Sequence, residues 1–130
     1  PPRGEMGLKA VRLAVSSGFH SQLMASAAQQ FAQAAAGIPM AGPQLPFYCN
    51  LTGEKFLPGT DLHSYLAQHI VSPVRFHQEV GAMAADGIDT FVELGPGKVL
   101  TNLVKRSYKG LAAYNVENCK TLEKWKATLA

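Results

Sequence analysis

The chain has 130 residues, 47% hydrophobic and 16% charged, with a net charge of +3. That is enough for one packed core, and the composition excludes a disordered tail or a membrane-spanning segment, since no apolar run approaches the ~20 residues a span needs. Half of the basic residues lie between Lys105 and Lys126, interleaved with apolar positions, which argues against nucleic acid as a partner and fits either an ordinary solvated face or one that steers an acidic protein.

Along the chain, Val11, Leu13 and Val15 alternate with smaller or polar residues and predict a strand over Lys9 to Ser16. Ser17-Gly18 breaks it and His20 follows at once. Ser21 to Ala36 is rich in Ala and Gln, with Leu23, Met24, Ala27, Ala28, Phe31, Ala34 and Ala35 at helical spacing, which predicts a helix ended by Gly37 and Pro39. Pro46 to Leu51 reads as a short apolar strand turned by Thr52-Gly53, with a loop from there to Thr60. Asp61 is placed to cap a helix in which Leu62, Tyr65, Leu66, His69 and Ile70 share a face. Ser72-Pro73 has the form of a second helix start; that helix carries Val80 and Met83 inward and ends near Gly87. A strand at Thr90 to Leu94, a Gly95-Pro96-Gly97 turn, a helix containing Leu100, Leu103 and Val104, a last strand over Leu111 to Val116 and a helix marked by Leu122, Trp125 and Leu129 complete the chain. Strands alternating with helices predict an α/β architecture with a mostly parallel sheet.

His20 sits at a predicted strand-turn-helix junction, the kind of place where α/β folds expose reactive side chains. An imidazole there can take a proton from a hydroxyl and return it, although by position alone a structural or surface histidine is the more common occupant. His63 and His77 read as exposed helical residues and His69 as a satisfied core histidine. No His-Glu-x-x-His pattern exists, so no metal is expected. Gly95-Pro96-Gly97-Lys98 lacks the earlier glycine and the following Ser or Thr of a phosphate loop, with Val92 and Val99 at those positions; Lys98 and Glu93 are expected to pair locally. Cys49 and Cys119 read as reduced, half-buried thiols. No Gly-x-Ser-x-Gly nucleophile elbow is present, so the chain holds a candidate base with nothing evident for it to activate. The opening Pro-Pro-Arg-Gly-Glu leads into no signal-peptide core, and a cytoplasmic location is expected.

Four stretches, in order, resemble the malonyl-CoA:acyl-carrier-protein transacylases and the related acyltransferase domains of polyketide synthases: Leu13 to Met24 around Ser-Gly-Phe-His-Ser, Pro46 to Gly53, Leu66 to Phe76 around Ser-Pro-Val-Arg-Phe, and Phe91 to Leu103 around Glu-Leu-Gly-Pro-Gly-Lys-Val-Leu. The resemblance covers essentially the whole chain but only the last portion of the family's length. It implies an α/β-hydrolase-like large subdomain with an inserted ferredoxin-like subdomain, residues 1–16 closing the insert with its last strand and 17–130 belonging to the large subdomain. It implies that His20 is the catalytic base and that a backbone carbonyl orients it. Alignment on Ser72-Pro73-Val74 places His69 at that carbonyl, with Gln68 one residue earlier. Gly18 and Phe19 fall where the family carries Ala-Phe before the histidine in its malonyl-selective form, and a bulky Phe19 would crowd a branched α-carbon. The implied reaction is ping-pong transfer of malonyl from malonyl-CoA to the phosphopantetheine thiol of acyl carrier protein, through a serine on an N-terminal portion of the same enzyme, with no cofactor beyond the coenzyme A thioester. The readings weighed beside it are a polyketide synthase acyltransferase domain, a non-catalytic module that binds a carrier protein, and a serine hydrolase. Neither a nucleic acid nor a membrane is an expected partner.

Overall fold

A computed structural model describes residues 15–129. The strand expected over 9–16, and the 1–16 segment with it, lies outside the described residues apart from Val15 and Ser16. A single 3-10 turn at Gln22–Met24 runs into α1 (Ala25–Ala35). A two-residue hairpin follows, β1 (Tyr48–Cys49) with β2 (Glu54–Lys55), then α2 (Leu62–Val71), α3 (Phe76–Ala85), β3 (Thr90–Leu94), α4 (Val99–Ser107), β4 (Ala112–Val116) and α5 (Cys119–Lys126).

β3 and β4 pair in parallel, with Thr90 opposite Ala112 and Leu94 opposite Val116. Parallel strands need a crossover, and α4 supplies it. The core lies on this unit: Val80 from α3, Val104 from α4 and Ala113 from β4, with Phe76, Phe91, Tyr108 and Leu111 packed around them. The second unit is helical. Ala28 and Ala35 are the buried residues of α1, and their small side chains let it lie close on α2. The sequence places Leu23 and Ala34 on the inward face of this helix, but both are exposed, Leu23 by 83%.

The hairpin joins the two units. Its antiparallel return, which the sequence reading leaves as loop, pairs Tyr48 with Lys55 and Cys49 with Glu54. Gly53 makes the turn possible: its φ is +77°, and a Cβ there would come within 2.6 Å of Gln78 Cβ on α3. Asp61 caps α2 as expected, accepting from the amides of His63 and Ser64. Ser72-Pro73 does not start a helix. Ser72 closes α2 in an extended conformation, and α3 begins at Phe76. A proline at position N1 and a proline just past a helix end leave the same mark in sequence, and here the second arrangement holds.

One buried group has no counterpart in the sequence reading. Glu79 on α3 is 8% exposed, and its Oε2 is buried without a partner. Burial pushes its carboxyl above the usual glutamate range. A raised pKa means that ionisation costs nothing below the ordinary glutamate range and progressively more as the pH rises through the raised value. Glu79→Gln is therefore expected to raise the melting temperature more at pH 8 than at pH 4. Equal shifts at the two pH values would show that the carboxyl ionises freely.

Candidate active site

The segment before α1 is built to present His20. Ser21 is the N-cap of the 3-10 turn: its Oγ accepts from the Leu23 amide at 3.3 Å and donates back to the Gly18 carbonyl at 2.6 Å. Those bonds fold residues 18–23 into a tight knuckle, and His20 stands at its crest with φ +57°, the only non-glycine residue with positive φ among the described residues. The left-handed region costs a Cβ-bearing residue about 1–2 kcal/mol, so the surrounding contacts must hold it there.

The contact that does so is long-range. His20 Nδ1 lies 3.0 Å from the main-chain oxygen of His69, in the last turn of α2. A carbonyl only accepts, so Nδ1 carries the proton and donates it. In the neutral ring Nε2 is then left as the acceptor, with no hydrogen bond among the described residues. The ring is exposed. The tautomer is thus fixed by a main-chain group rather than a carboxylate, and the free nitrogen points its lone pair away from the anchor. An imidazole held in this way can take a proton at Nε2 and give it back.

The side chain of His69 adds a second layer. Its ring centroid is 4.9 Å from that of His20, and on the other side it stacks on Tyr65, one turn earlier in α2, at 5.9 Å and an interplanar angle of 10°. Phe47 and Phe56 of the hairpin meet Tyr65 edge-on. The aromatic row therefore runs from the hairpin through Tyr65 and His69 to His20. His69 is not the satisfied core histidine that its apolar helix face suggests: its Nε2 is buried and unpartnered. Burial, with the neighbouring His20 second, lowers its pKa, which favours the neutral ring beside His20. Burial also pushes the Tyr65 hydroxyl up to about 12. The sequence puts Tyr65 on one helix face with His69 but leaves its part in the site unassigned. Its spacing of four from His69 is the signal for the stack.

Gly18 and Phe19 flank the knuckle. A Cβ on Gly18 would lie 2.8 Å from Leu23 Cδ1 and 3.2 Å from Ser21 Oγ, so an alanine fits only if the exposed Leu23 side chain swings aside. Phe19 is 57% exposed beside His20. The remaining histidines lie elsewhere. His63 is half-buried rather than exposed and donates through Nε2 to the Ile38 carbonyl at 3.0 Å, and His77 is exposed and stacks on Tyr108. Among the described residues no three His, Cys, Asp or Glu converge as a metal site.

The Gly95-Pro96-Gly97 turn is closed by acids. Glu93 does not pair with Lys98. Its carboxylate accepts from the amides of Leu100 and Thr101 and from the Thr101 hydroxyl, while Glu117 accepts from the Gly97 amide. Burial raises the Glu93 carboxyl, but those donors outweigh it and hold it below its usual value. The first turn of α4, where a phosphate loop would seat its anion, is thus filled by the protein's own carboxylate. Cys49 is buried with its thiol 3.0 Å from the Thr52 hydroxyl, and Cys119 is exposed. Both are free, and neither has the half-buried setting expected from the sequence.

An imidazole with a main-chain anchor on Nδ1 and an open Nε2, set on an α/β frame, has the arrangement a proton-transfer group needs. Residues 4–129 match the family described as acyl transferase domain, and the chain belongs to that family. It is 33% identical over 115 residues to a malonyl CoA-acyl carrier protein transacylase of Bacillus subtilis strain 168, a match covering 88% of this chain and 36% of the relative. It is 42% identical over 102 residues to the polyketide synthase GfsA of Streptomyces halstedii, covering 77% of this chain and 1% of that protein. The fold superimposes on the crystal structure of a malonyl CoA-acyl carrier protein transacylase from Clostridium perfringens with a TM-score of 0.88 at 32% identity, over 92% of this chain and 38% of that one. The α/β fold with its parallel strand pair is therefore that of the transacylases, and the chain spans little more than a third of their length.

Proposed function

We propose that this chain supplies the histidine half of a serine-histidine acyltransferase that moves a malonyl group from malonyl-CoA to the phosphopantetheine thiol of an acyl carrier protein. The observation that carries the reading is the His20 Nδ1 bond to the His69 carbonyl, which leaves Nε2 as a base. The serine belongs to an N-terminal portion of the same enzyme, and exposed apolar side chains such as Val15, Leu23, Leu94 and Val99 are what such a portion would cover. On this reading residues 1–16 close an inserted ferredoxin-like subdomain, and 17–130 form part of the α/β-hydrolase-like large subdomain. The enzyme is cytoplasmic and needs no cofactor beyond its coenzyme A thioester.

The chemistry then runs in two halves. His20 Nε2 takes the serine hydroxyl proton as the serine oxygen bonds to the malonyl carbonyl carbon. The tetrahedral adduct collapses, the carbon–sulfur bond breaks, and the departing coenzyme A sulfur receives the proton from Nε2. The carrier thiol gives its proton to the same nitrogen and attacks the acyl-serine, and the serine oxygen leaves with that proton. The bond to the His69 carbonyl holds the ring in place through both halves and favours the imidazolium formed in each. Phe19, with Gly18 before it, borders the acyl group and disfavours a branched α-carbon.

The 42% identity to a polyketide synthase favours a second setting for the same chemistry, an acyltransferase domain within a larger synthase. The test is to incubate the whole enzyme with radiolabelled malonyl-CoA or methylmalonyl-CoA, with and without holo-carrier protein. Label on the carrier, with malonyl preferred, is the expected result. Equal use of the branched substrate would remove the Phe19 role. Free malonate without carrier would indicate a hydrolase, and carrier binding with no transfer a non-catalytic module.

A further inference from the structure

An α-helical carbonyl at residue i normally accepts the amide of residue i+4. For His69 that residue is Pro73, which has no N–H to give. Proline also disfavours the helical conformation in the residue before it, and Ser72 is extended, with φ −110° and ψ 148°. The chain leaves the helix at that point. The Ser72 amide turns back on the His69 oxygen only at 3.3 Å, and further on the Arg75 amide is tied to the Asn50 carbonyl at 2.9 Å, which draws the outgoing segment toward the hairpin. A common alternative helix ending, with glycine in the left-handed region, sends the next two amides back onto the terminal carbonyls. The ending found here leaves the His69 oxygen room for a stronger donor, and His20 Nδ1 occupies it at 3.0 Å.

We propose that Pro73 is a positioning residue for His20: by withholding a main-chain donor it keeps the His69 carbonyl open, and so fixes the tautomer of the base. An N–H at position 73 would let α2 continue and capture that oxygen. His20, released, would sample both tautomers, and its left-handed backbone would lose its principal anchor. The catalytic consequence rests on the acyl-transfer reading above, but the structural one does not.

Nitrogen-15 NMR of the imidazoles separates the two. In the unaltered protein His20 is expected to show a single Nδ1-protonated tautomer, with a scalar coupling across the hydrogen bond to the His69 carbonyl carbon. In Pro73→Ala and Pro73→Gly the coupling is expected to vanish and the His20 shifts to move toward those of a free imidazole. The kcat for malonyl transfer in the whole enzyme is expected to fall about tenfold, with KM for malonyl-CoA held, as for a misaligned catalytic group. Unmoved His20 shifts in a folded variant would overturn the proposal, as would a lower kcat with the coupling intact. If neither variant folds, absence of the coupling in the unaltered protein would overturn it. Shifts that move as expected in a protein showing no malonyl transfer would support the role of Pro73 and remove the acyl-transfer reading instead.

Discussion

His20→Ala is expected to abolish malonyl transfer by the whole enzyme, with kcat falling on the order of 10⁴- to 10⁶-fold, as when the histidine of a serine-histidine pair is removed. The size follows from its double duty. On the proposed mechanism the same nitrogen takes the serine proton, delivers it to the leaving sulfur, and repeats both steps with the carrier thiol, so its loss would disable both halves of the reaction. KM for malonyl-CoA should change little, because an imidazole that acts on protons contributes little to ground-state binding. The fold should also survive. His20 is exposed, and the variant gives up one exposed hydrogen bond, worth about 1 kcal/mol. An intact melting temperature with no acylation of the serine is the expected pair of results. Full activity in the variant would rule out His20 as the base.

Most of the frame was legible from residue pattern alone. The Thr90–Leu94 and Ala112–Val116 strands, the Asp61 cap and the helices on either side appear where periodicity and turn residues put them, because each is fixed by its own residues. Three features were not legible from residue pattern alone, for related reasons. Ser72-Pro73 reads as a helix start, but the same dipeptide also suits a helix end, and here it closes α2 while the Asn50 carbonyl holds the Arg75 amide. Glu93 reads as a surface partner for Lys98 until the turn brings the first amides of α4 over its carboxylate. The anchor of His20 is 49 residues away in sequence; no local pattern signals a bond between a loop imidazole and a helix-end carbonyl, and only the resemblance pointed to the His69 carbonyl. Position left His20 as an ordinary histidine, and the resemblance around Ser-Gly-Phe-His-Ser assigned it a role. The left-handed backbone and the Nδ1 bond are what make that role physically reasonable.

The second large effect is expected at Tyr65. Its ring is 8% exposed, the most enclosed aromatic of the helical unit, and it is touched on one side by Phe47 and Phe56 and on the other by His69. Truncating a buried aromatic to alanine costs about 3–5 kcal/mol, through lost transfer energy and the cavity left behind. In a chain of this size that lowers the melting temperature on the order of 10 °C. The loss should not stop at stability. Without the Tyr65 ring the His69 imidazole loses its stacking partner, its unpartnered Nε2 gains access to water, and the last turn of α2 can shift the carbonyl that holds His20. Tyr65→Ala is therefore expected to lower kcat by about tenfold even at temperatures where it remains folded. Tyr65→Phe, which keeps the stack and removes only the hydroxyl, should retain nearly all activity and lose less than about 1 kcal/mol. Thermal melts and kcat measured on the two variants side by side separate the contributions. A destabilised Tyr65→Ala with native kcat would confine the stack to holding the fold. A Tyr65→Phe as impaired as Tyr65→Ala would place the effect on the hydroxyl rather than on the aromatic row that runs from the hairpin to His20.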